Sequence, residues 1–354
     1  MRVWAVVLAG GVGSRFWPLS TPQRPKQLLP LVDSAPLLAN TLRRLAPLAP
    51  PARTLVLTNA SLRGPIGELA PEIPAANLVA EPKPAGMAAA LAWAAAEIAR
   101  RDGPEAVMVC VHADWSIGDE DGFRDTLQRA ARTAERQRAL VTVGIVPTRP
   151  DPGFGYIQPG EPVAIEAAAD ARRPSAPRRV ARFVEKPDRA TAERMVRDGY
   201  LWNSGIFVWR VGDFLDELRR HTPEVAPALD AAGGDIGRFF AAVRSISVDV
   251  GVLERSDRVL VLPGDFGWDD VGTWAALRRV RPADDWGNAT SGTVHALQSV
   301  GNVVHAEGNA VVLYGVSDLV VVTRDGLTLV TTVDRSADLK TLIDTLPPAL
   351  RGRD

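Results

Sequence analysis

Short apolar runs alternate with longer, alanine-rich segments over the first 150 residues, and this alternation constrains the fold more than any other feature. The apolar runs lie at Val3 to Ala9, Thr54 to Thr58, Ala106 to His112 and Leu140 to Val146. Segments of helical period separate them, at Pro36 to Ala46, Gly86 to Arg101 and Gly122 to Gln137. Buried strands that alternate with helices form right-handed βαβ units. The sequence therefore predicts an α/β domain built on a mostly parallel sheet.

The later part of the chain changes character twice. From about Pro159 to Arg179 it is rich in Ala, Pro and Arg, which predicts an exposed and partly mobile excursion. Strands are expected to resume at Val180 to Glu185 and at Ser204 to Trp209. These segments still belong to the α/β pattern.

After Trp274 the pattern becomes β-rich. Short pieces such as AVVLYG and LVVVT fill residues 293–333, separated by Gly, Asn or Asp, and a helix is expected from about Ser336 to Leu346. We therefore expect two domains, residues 1–280 and residues 281–354, the second small, β-rich and ending in a helix.

The charge balance excludes some classes of partner. Lys and Arg number 41 against 42 Asp and Glu, so the formal net charge is only −1. Bulk electrostatic binding to nucleic acid or to an anionic membrane is therefore not expected. Cys110 is the single cysteine, which excludes an internal disulfide, and no apolar run approaches the roughly 18 residues of a membrane span. We expect a cytoplasmic protein with no nucleic-acid or membrane partner.

The first apolar run ends in a glycine-rich loop, VVLAGGVGSRFWPLS. A dinucleotide-binding loop would need a third glycine where Phe16 stands and a helix that opens at once. A Walker loop would need Gly-Lys-Ser/Thr four residues after Gly10, where the chain has only Arg15 and Phe16. Both of these phosphate loops are excluded.

A third kind of loop wraps a nucleoside triphosphate with backbone N–H groups and separate cations. Gly10, Gly11 and Gly13 would let the backbone approach phosphates closely. Arg15 adds a planar, permanently charged donor, and Lys26 in RPKQLLPL adds a second charge. The alternative is a tight strand-to-loop turn that carries two surface cations.

The loop, followed by RPKQLLPL, resembles the sugar-1-phosphate nucleotidyltransferases, and its WPLS ending resembles the mannose-1-phosphate guanylyltransferase branch. The resemblance continues through FVEKPDRATAE, WNSGIFVW, SVDVGVLE and FGWDDVGTW, and so covers nearly all of residues 1–275. It implies a Rossmann-like nucleotidyltransferase domain with a mostly parallel mixed sheet, and a small β-helix-like C-terminal domain. The implied reaction is transfer of a guanylyl group from GTP to α-D-mannose 1-phosphate, giving GDP-mannose and pyrophosphate with Mg²⁺.

The resemblance also assigns roles to individual residues. The implied catalytic residues are Arg15, Lys26, Asp114, Lys186 and Asp270. The implied nucleotide contacts are Leu8, Gly10, Gly11, Gly13, Ser14, Arg15, Lys26, Glu81, Pro84 and Gly86. The implied contacts to the sugar phosphate are Gly155, Glu185, Lys186, Asn203 and Gly205. Asp114 and Asp270 would hold the metal, with Asp269 as the alternative to Asp270.

These residue types suit that chemistry. Two carboxylates are suited to Mg²⁺, a hard cation that keeps several waters and bridges phosphates. The Glu81 carboxylate could accept hydrogen bonds from guanine N1–H and N2–H₂, which no other common base presents side by side. The bland alternatives are a strand-end turn residue for Asp114, a surface lysine for Lys186 and a turn former for Asn203.

Two departures from the family pattern leave the substrates open. The chain has KPAGMAAA where the guanylyltransferase branch has G-R-N-T-A-P-A, and HADW places Trp115 where histidine is expected. The alternatives are another sugar 1-phosphate, such as that of glucose or heptose, another nucleoside triphosphate, or a non-catalytic nucleotide-sugar sensor of the same fold. The joint presence of all five implied catalytic residues argues against the sensor. A homodimer is possible by analogy with the family.

Overall fold

The computed structural model describes residues 1–11, 14–163 and 176–351. Its strands are β1 (Val3–Leu8), β2 (Thr54–Asn59), β3 (Leu78–Glu81), β4 (Val107–His112), β5 (Ser116–Ile117), β6 (Leu140–Ile145), β7 (Tyr156–Pro162), β8 (Arg178–Val184), β9 (Leu201–Arg210), β10 (Val259–Gly264), β11 (Trp268–Asp269), β12 (Ala289–Ser291), β13 (Val294–Leu297), β14 (Val303–Ala306), β15 (Val311–Tyr314), β16 (Leu319–Arg324) and β17 (Leu327–Thr332). Its α-helices are α1 (Leu37–Leu45), α2 (Arg63–Leu69), α3 (Met87–Asp102), α4 (Glu120–Gln137), α5 (Arg189–Arg197), α6 (Val211–His221), α7 (Ala226–Ala232), α8 (Ile236–Ala242), α9 (Leu277–Val280), α10 (Leu339–Thr345) and α11 (Pro348–Arg351). Within the described ranges, no helix combines the length and apolar character needed to cross a membrane.

The chain packs as two compact units. The first unit contains Met1–Leu8, Arg44–His112 and Asp119–Phe266, and the second contains Ala9–Arg43, Ala113–Gly118 and the chain from Gly267 onward. The predicted boundary between a catalytic domain, residues 1–280, and a β-rich domain, residues 281–354, stays a prediction.

The first unit is built on a mixed sheet with the strand order β3-β2-β1-β4-β9-β6-β10-β8-β7. β1 pairs in parallel with β2 and with β4, where Leu8 lies opposite His112. β9 runs antiparallel to β4 and β6, and β8 runs antiparallel to β10 and β7. Strands β1 and β4 are buried along nearly their whole length, as expected for central strands covered on both faces. The expected mixed sheet is confirmed, but antiparallel pairs are as many as parallel pairs between neighbours in the strand order.

Local signals explain the two longest helices of this unit. The side chain of Asp119 caps α4 by accepting a hydrogen bond from the Gly122 amide at 2.9 Å, and Glu120 adds an acidic charge to the first turn. Helix α3 carries a run of buried alanines, and these small side chains allow it to pack closely in the main core of the unit.

The expected excursion from Pro159 to Arg179 is wrong at both ends. Residues up to Pro162 belong to β7 and residues from Arg178 belong to β8, and the two strands pair antiparallel. Both prolines lie at shifts of the register, where a ladder bond is missing in any case, so their presence does not break the strand. The middle of the excursion, residues 164–175, lies outside the described residues.

The second unit has its own core, drawn from distant parts of the chain. Phe16, Trp17 and Leu29 pack in one cluster with Trp274, Leu277 and the strand residues Val303, Val320 and Val322. The indole Nε1 of Trp274 donates to the Trp17 carbonyl at 3.2 Å. The N-terminal loop is therefore held by side chains from the last quarter of the sequence.

The short strands expected after residue 293 are present. β12, β14 and β16 pair in parallel, β17 joins β16 antiparallel, and β13 pairs in parallel with β15. The expected terminal helix is represented by α10.

Candidate functional site

The glycine loop begins directly after β1 and is anchored from behind by Gln27. This side chain is 2% exposed, and its Nε2 donates to the carbonyls of Ala9 at 2.8 Å and Gly11 at 3.0 Å. Gly10 and Gly11 are exposed, and no atom lies within 4 Å of where their Cβ atoms would be. The loop is thus fixed on one side and open on the other, as a phosphate-binding backbone requires.

Of the other residues predicted to bind the nucleotide in this loop, the structure describes Leu8 and Arg15. Leu8 ends β1 and is half-buried, and Arg15 is exposed in a single 3-10 turn, Ser14–Phe16. Gly13 lies outside the described residues. Gln27 was missed by the sequence reasoning, although it directly follows Lys26 in the quoted RPKQLLPL motif.

Three of the predicted catalytic residues lie together in the second unit. Lys26 is 7% exposed, and its Nζ donates to Asp114 Oδ2 at 2.9 Å and to the Asp270 carbonyl at 2.6 Å. A buried ammonium needs such partners, because an unpaired buried charge is costly. Burial raises the pKa of the Asp270 carboxyl, and the charge of Lys26 opposes this shift. The cation therefore stabilises two carboxylates at one place.

The neighbouring residues Asp269 and Asp270 differ in their hydrogen-bond partners. Asp269 is 5% exposed and pairs with Arg279 through two hydrogen bonds, at 2.8 and 3.1 Å. Its Oδ1 also accepts from the Val271 amide at 2.9 Å. Both oxygens of the Asp269 carboxylate are therefore used in protein contacts, which makes this group less suited to bind a metal. The choice of Asp270 as the metal ligand is thereby favoured.

The donor set fits a magnesium ion that is shared with substrate phosphates. Within the described parts of the chain, no cluster of three or more His, Cys, Asp or Glu side chains forms a metal cage made of protein alone. Mg²⁺ in phosphoryl-transfer sites needs only one or two carboxylates, since waters and phosphate oxygens complete its shell. Asp114 and Asp270 supply that number.

The predicted base-reading segment lies in the first unit. Glu81 ends β3 and is half-buried, and burial raises its pKa to about 7. Gly86 precedes α3 with a φ of +80°, and a Cβ there would lie 2.4 Å from the Ile246 carbonyl oxygen. Only glycine fits that position. Pro84, between them, is exposed.

The predicted sugar-phosphate residues also lie in the first unit, and four of them are neighbours. A Cβ on Gly155 would lie 2.7 Å from Glu185 Oε2 and 3.5 Å from Asn203 Cβ. Lys186 is exposed, its Nζ donates to Glu185 Oε1 at 2.7 Å, and its φ of 43° is rare for a side chain of its size. The structure thus brings Gly155, Glu185, Lys186 and Asn203 into one row.

The Asn-Ser-Gly motif is a bulge within β9, whereas the sequence predicted that the strand begins at Ser204. The register against β6 shifts between Val143, opposite Ile206, and Gly144, opposite Asn203. Ser204 Oγ fills the gap by donating to the Val143 carbonyl at 2.6 Å, and Gly205 supplies a φ of +73°. Bulges of this kind re-aim a side chain, and here the side chain is Asn203.

Asp249 is a second residue that the sequence reasoning missed. Its Oδ1 accepts a hydrogen bond from Asn203 Nδ2 at 2.8 Å. It lies in SVDVGVLE, one of the motifs that carry the family resemblance, and the sequence alone predicted no role for it.

Trp115, which replaces an expected histidine, has a packing role. It is 5% exposed and lies edge-on to Trp268 with ring centroids 5.9 Å apart. The adjoining strands β5 and β11 pair antiparallel, Ile117 opposite Trp268 and Ser116 opposite Asp269. The tryptophan therefore supports the backbone that carries Asp114 and Asp269.

Comparison with known proteins places these residues in a family. The family model described as Nucleotidyl transferase matches residues 4–285. The chain is 38% identical to xanthan biosynthesis protein XanB of Xanthomonas campestris pv. campestris (strain ATCC 33913), over 99% of this chain and 74% of that protein. It is 36% identical to mannose-1-phosphate guanylyltransferase of Escherichia coli (strain K12), over 97% and 73%.

A solved structure is similar along nearly its whole length. It is the Thermus thermophilus protein described as mannose-1-phosphate geranyltransferase, with a TM-score of 0.87, 36% identity and coverage of 97% of this chain and 99% of that one. Sequence relatives, a family model and a solved structure agree on most of the chain, and they agree with the resemblance carried by its motifs. The chain belongs to the nucleotidyl transferase family.

Proposed function

We propose that the chain transfers a guanylyl group from GTP to α-D-mannose 1-phosphate, releasing GDP-mannose and pyrophosphate in a Mg²⁺-dependent reaction. The observation that carries the reaction type is the buried Lys26 ammonium, bonded to Asp114 and to the Asp270 backbone. The substrates follow from the relatives that are named mannose-1-phosphate guanylyltransferase. A non-catalytic sensor would have no need to keep a buried cation beside two acids.

The reaction needs little covalent help from the protein. An oxygen of the sugar phosphate attacks the α-phosphorus, the new P–O bond forms, and the bond to the bridging oxygen breaks so that pyrophosphate leaves with the electron pair. A phosphate monoester has its second pKa near ~6, so the attacking oxygen is already deprotonated at neutral pH. No general base is required, and catalysis consists of positioning and charge neutralisation.

Each group of residues has a share in that task. Amides of the loop at Gly10, Gly11, Gly13 and Ser14, after Leu8, bind the triphosphate, and Arg15 and Lys26 neutralise its charge. Asp114 and Asp270 would hold Mg²⁺, which would supply electrostatic stabilisation of the phosphate charge. Glu81 reads the guanine edge, while Pro84 and Gly86 border the base. Lys186 binds the sugar phosphate, and Gly155, Glu185, Asn203 and Gly205 border the hexose.

Three structural proposals accompany the function. The boundary between a catalytic and a β-rich domain lies near residue 280. The β-rich part is β-helix-like, supported by its parallel pairings and by stacked amides, since Asn302 Nδ2 donates to Asn288 Oδ1 at 2.8 Å. The enzyme is a homodimer, supported by the apolar side chains of Val312 and Tyr314, which are 70% and 68% exposed on β15.

A product assay tests the function. The protein is incubated with each of four nucleoside triphosphates and with the 1-phosphates of mannose, glucose and a heptose, in Mg²⁺ and in EDTA. We expect GDP-mannose as the main product, formed only with metal. Asp270→Asn should lose at least about 100-fold in turnover, whereas Asp265→Asn, which changes an exposed acid five residues earlier, should match the wild type. Equal use of ATP or dTTP would overturn the guanylyl assignment and leave the nucleotidyl transfer.

A further inference from the structure

The turn that contains Asp249 has an unusual and firmly anchored backbone. Asp249–Leu253 is one turn of π-helix, in which the Glu254 amide donates to the Asp249 carbonyl at 2.8 Å. The buried hydroxyl of Thr222 donates to the Gly251 carbonyl at 2.6 Å and fixes the turn from below. Single π-turns are rare and occur mostly at functional sites. Asp249 is therefore presented by a rigid support.

The Asp249 carboxyl group is half-buried, and both an acidic side chain, Glu185, and a basic one, His112, act on it. Its Oδ1 accepts a hydrogen bond from Asn203 Nδ2 at 2.8 Å. Burial raises its pKa, the bond from Asn203 and the nearby His112 act against this, and the charge of Glu185 adds to it. A carboxylate has about four lone-pair sites, of which Asn203 and the backbone amide of Asp249 itself use two. The group has acceptor capacity left for a neutral donor.

The same contact determines how Asn203 is oriented. Its amide nitrogen is held by Asp249, and its Oδ1 accepts from the Gly205 amide at 3.3 Å. Both ends of the Asn203 amide thus have a defined role. Because Asn203 and Glu185 both border Gly155, Asp249 extends this polar row by one side chain.

We propose that Asp249 is a sugar-binding residue that accepts a hydrogen bond from one hexose hydroxyl and positions Asn203 for another. The inference rests on the proposed function, since it presumes a hexose 1-phosphate as substrate. Hydroxyl groups are the fitting ligand because the Asp249 carboxylate offers only hydrogen-bond acceptors, whereas the phosphate end is assigned to the Lys186 cation. A site built to pair with a substrate hydroxyl rejects the analogue that lacks it, because its own polar group is then left unpaired.

The test combines Asp249→Asn with a series of 2-, 3-, 4- and 6-deoxy analogues of mannose 1-phosphate. In the wild type, we expect one analogue to lose at least about tenfold in kcat/KM through the missing hydroxyl. In Asp249→Asn, the KM for mannose 1-phosphate should rise about tenfold, the KM for GTP should stay within about twofold, and the penalty for that one analogue should disappear. Asp198→Asn, an exposed acid of the same unit, is the matched control and should behave as wild type.

The outcomes separate three cases. If Asp249→Asn lost the same factor in kcat/KM on mannose 1-phosphate and on every deoxy analogue, or if it kept wild-type kinetics on all of them, a sugar contact at Asp249 would be contradicted. The proposed function would still stand. A wild-type protein that forms no nucleotide sugar from any combination would contradict the proposed function itself. Thermal unfolding checks that the variant folds, and Asp249→Ser, with the same expected loss of selectivity, replaces it if it does not.

Discussion

Raising the pH from 6 to 8 should increase the kcat/KM for GTP about tenfold, because the proposed pairing of Glu81 with two guanine donors requires the ionised carboxylate. Burial raises the pKa of this carboxyl to about 7. The ionised fraction is then about one-tenth at pH 6 and about nine-tenths at pH 8. The kcat/KM for GTP reports the enzyme form that has yet to bind GTP, so the titration of Glu81 should appear there with an apparent pKa near 7.

The measurement is pyrophosphate release at saturating mannose 1-phosphate over this pH range. Both substrates carry phosphates that titrate near pH ~6, so the informative quantity is the ratio of wild type to Glu81→Gln. Glutamine keeps one acceptor but places an NH₂ group against a guanine donor, so GTP use should fall sharply at pH 8. The ratio should therefore rise about tenfold with pH.

Two comparisons complete this experiment. ITP lacks the N2 amine and should be a poorer substrate than GTP for the wild type, and the difference should shrink in Glu81→Gln. Glu72→Gln, an exposed glutamate before β3, is the control for loss of a surface charge and should follow the wild-type profile. A ratio that stays constant between pH 6 and 8 would refute the role of Glu81 in reading the base.

The remaining predictions concern the metal, the two phosphate sites and acid stability. Asp114→Asn and Asp270→Asn should each fold and lose at least ~100-fold in kcat at saturating Mg²⁺, and near-normal turnover would remove that residue from the site. Lys186→Ala should raise the KM for the sugar 1-phosphate more than that for GTP, while Lys26→Ala should mainly affect GTP and turnover; the reverse pattern in steady-state kinetics would exchange the two assignments. His305 is buried beside arginines, which lowers its pKa to about 4. This pKa is below the value of ~6.5 in the unfolded chain. The contribution of neutral His305 to the free energy of unfolding is therefore fully present above pH 6.5 and is lost as the pH falls toward 4, by up to about 3 kcal/mol. In His305→Gln, the difference between the free energies of unfolding in urea at pH 7 and at pH 4.5 should be smaller than in the wild type. An equal difference in the two proteins would disprove the role of His305.

The strand and helix pattern was predictable because it depends on local periodicity. β1, β4 and α3 lie where apolar runs and helical spacing placed them, within a residue or two. Pairing partners were harder, since the prolines of β7 argue against a strand unless the register shifts are known. Register is a property of two segments, and one segment of sequence does not contain it.

The candidate site shows the same limit at the level of side chains. Asp269 and Asp270 are chemically identical neighbours, and they are distinguished by contacts that the sequence does not contain, chiefly the pairing of Asp269 with Arg279. Asp249 supports Asn203 from 46 residues away, so no spacing rule would connect the two. Residues that act through a partner, Gln27 among them, become visible only when the partner is in place.

The core of the second unit has a consequence for how the protein is made. The carbonyl of Trp17 receives its bond from Trp274, 257 residues later in the chain. A nascent chain exposes Phe16 and Trp17 early, while Trp274, Val303 and Val320, which belong to the same core, are made only after most of the chain. Such distant contacts are slow to form, and apolar surface left waiting for them invites aggregation. The glycine loop should therefore reach its final conformation only late in synthesis. Until then the nascent chain should be inactive, and its exposed apolar surface should favour binding to chaperones.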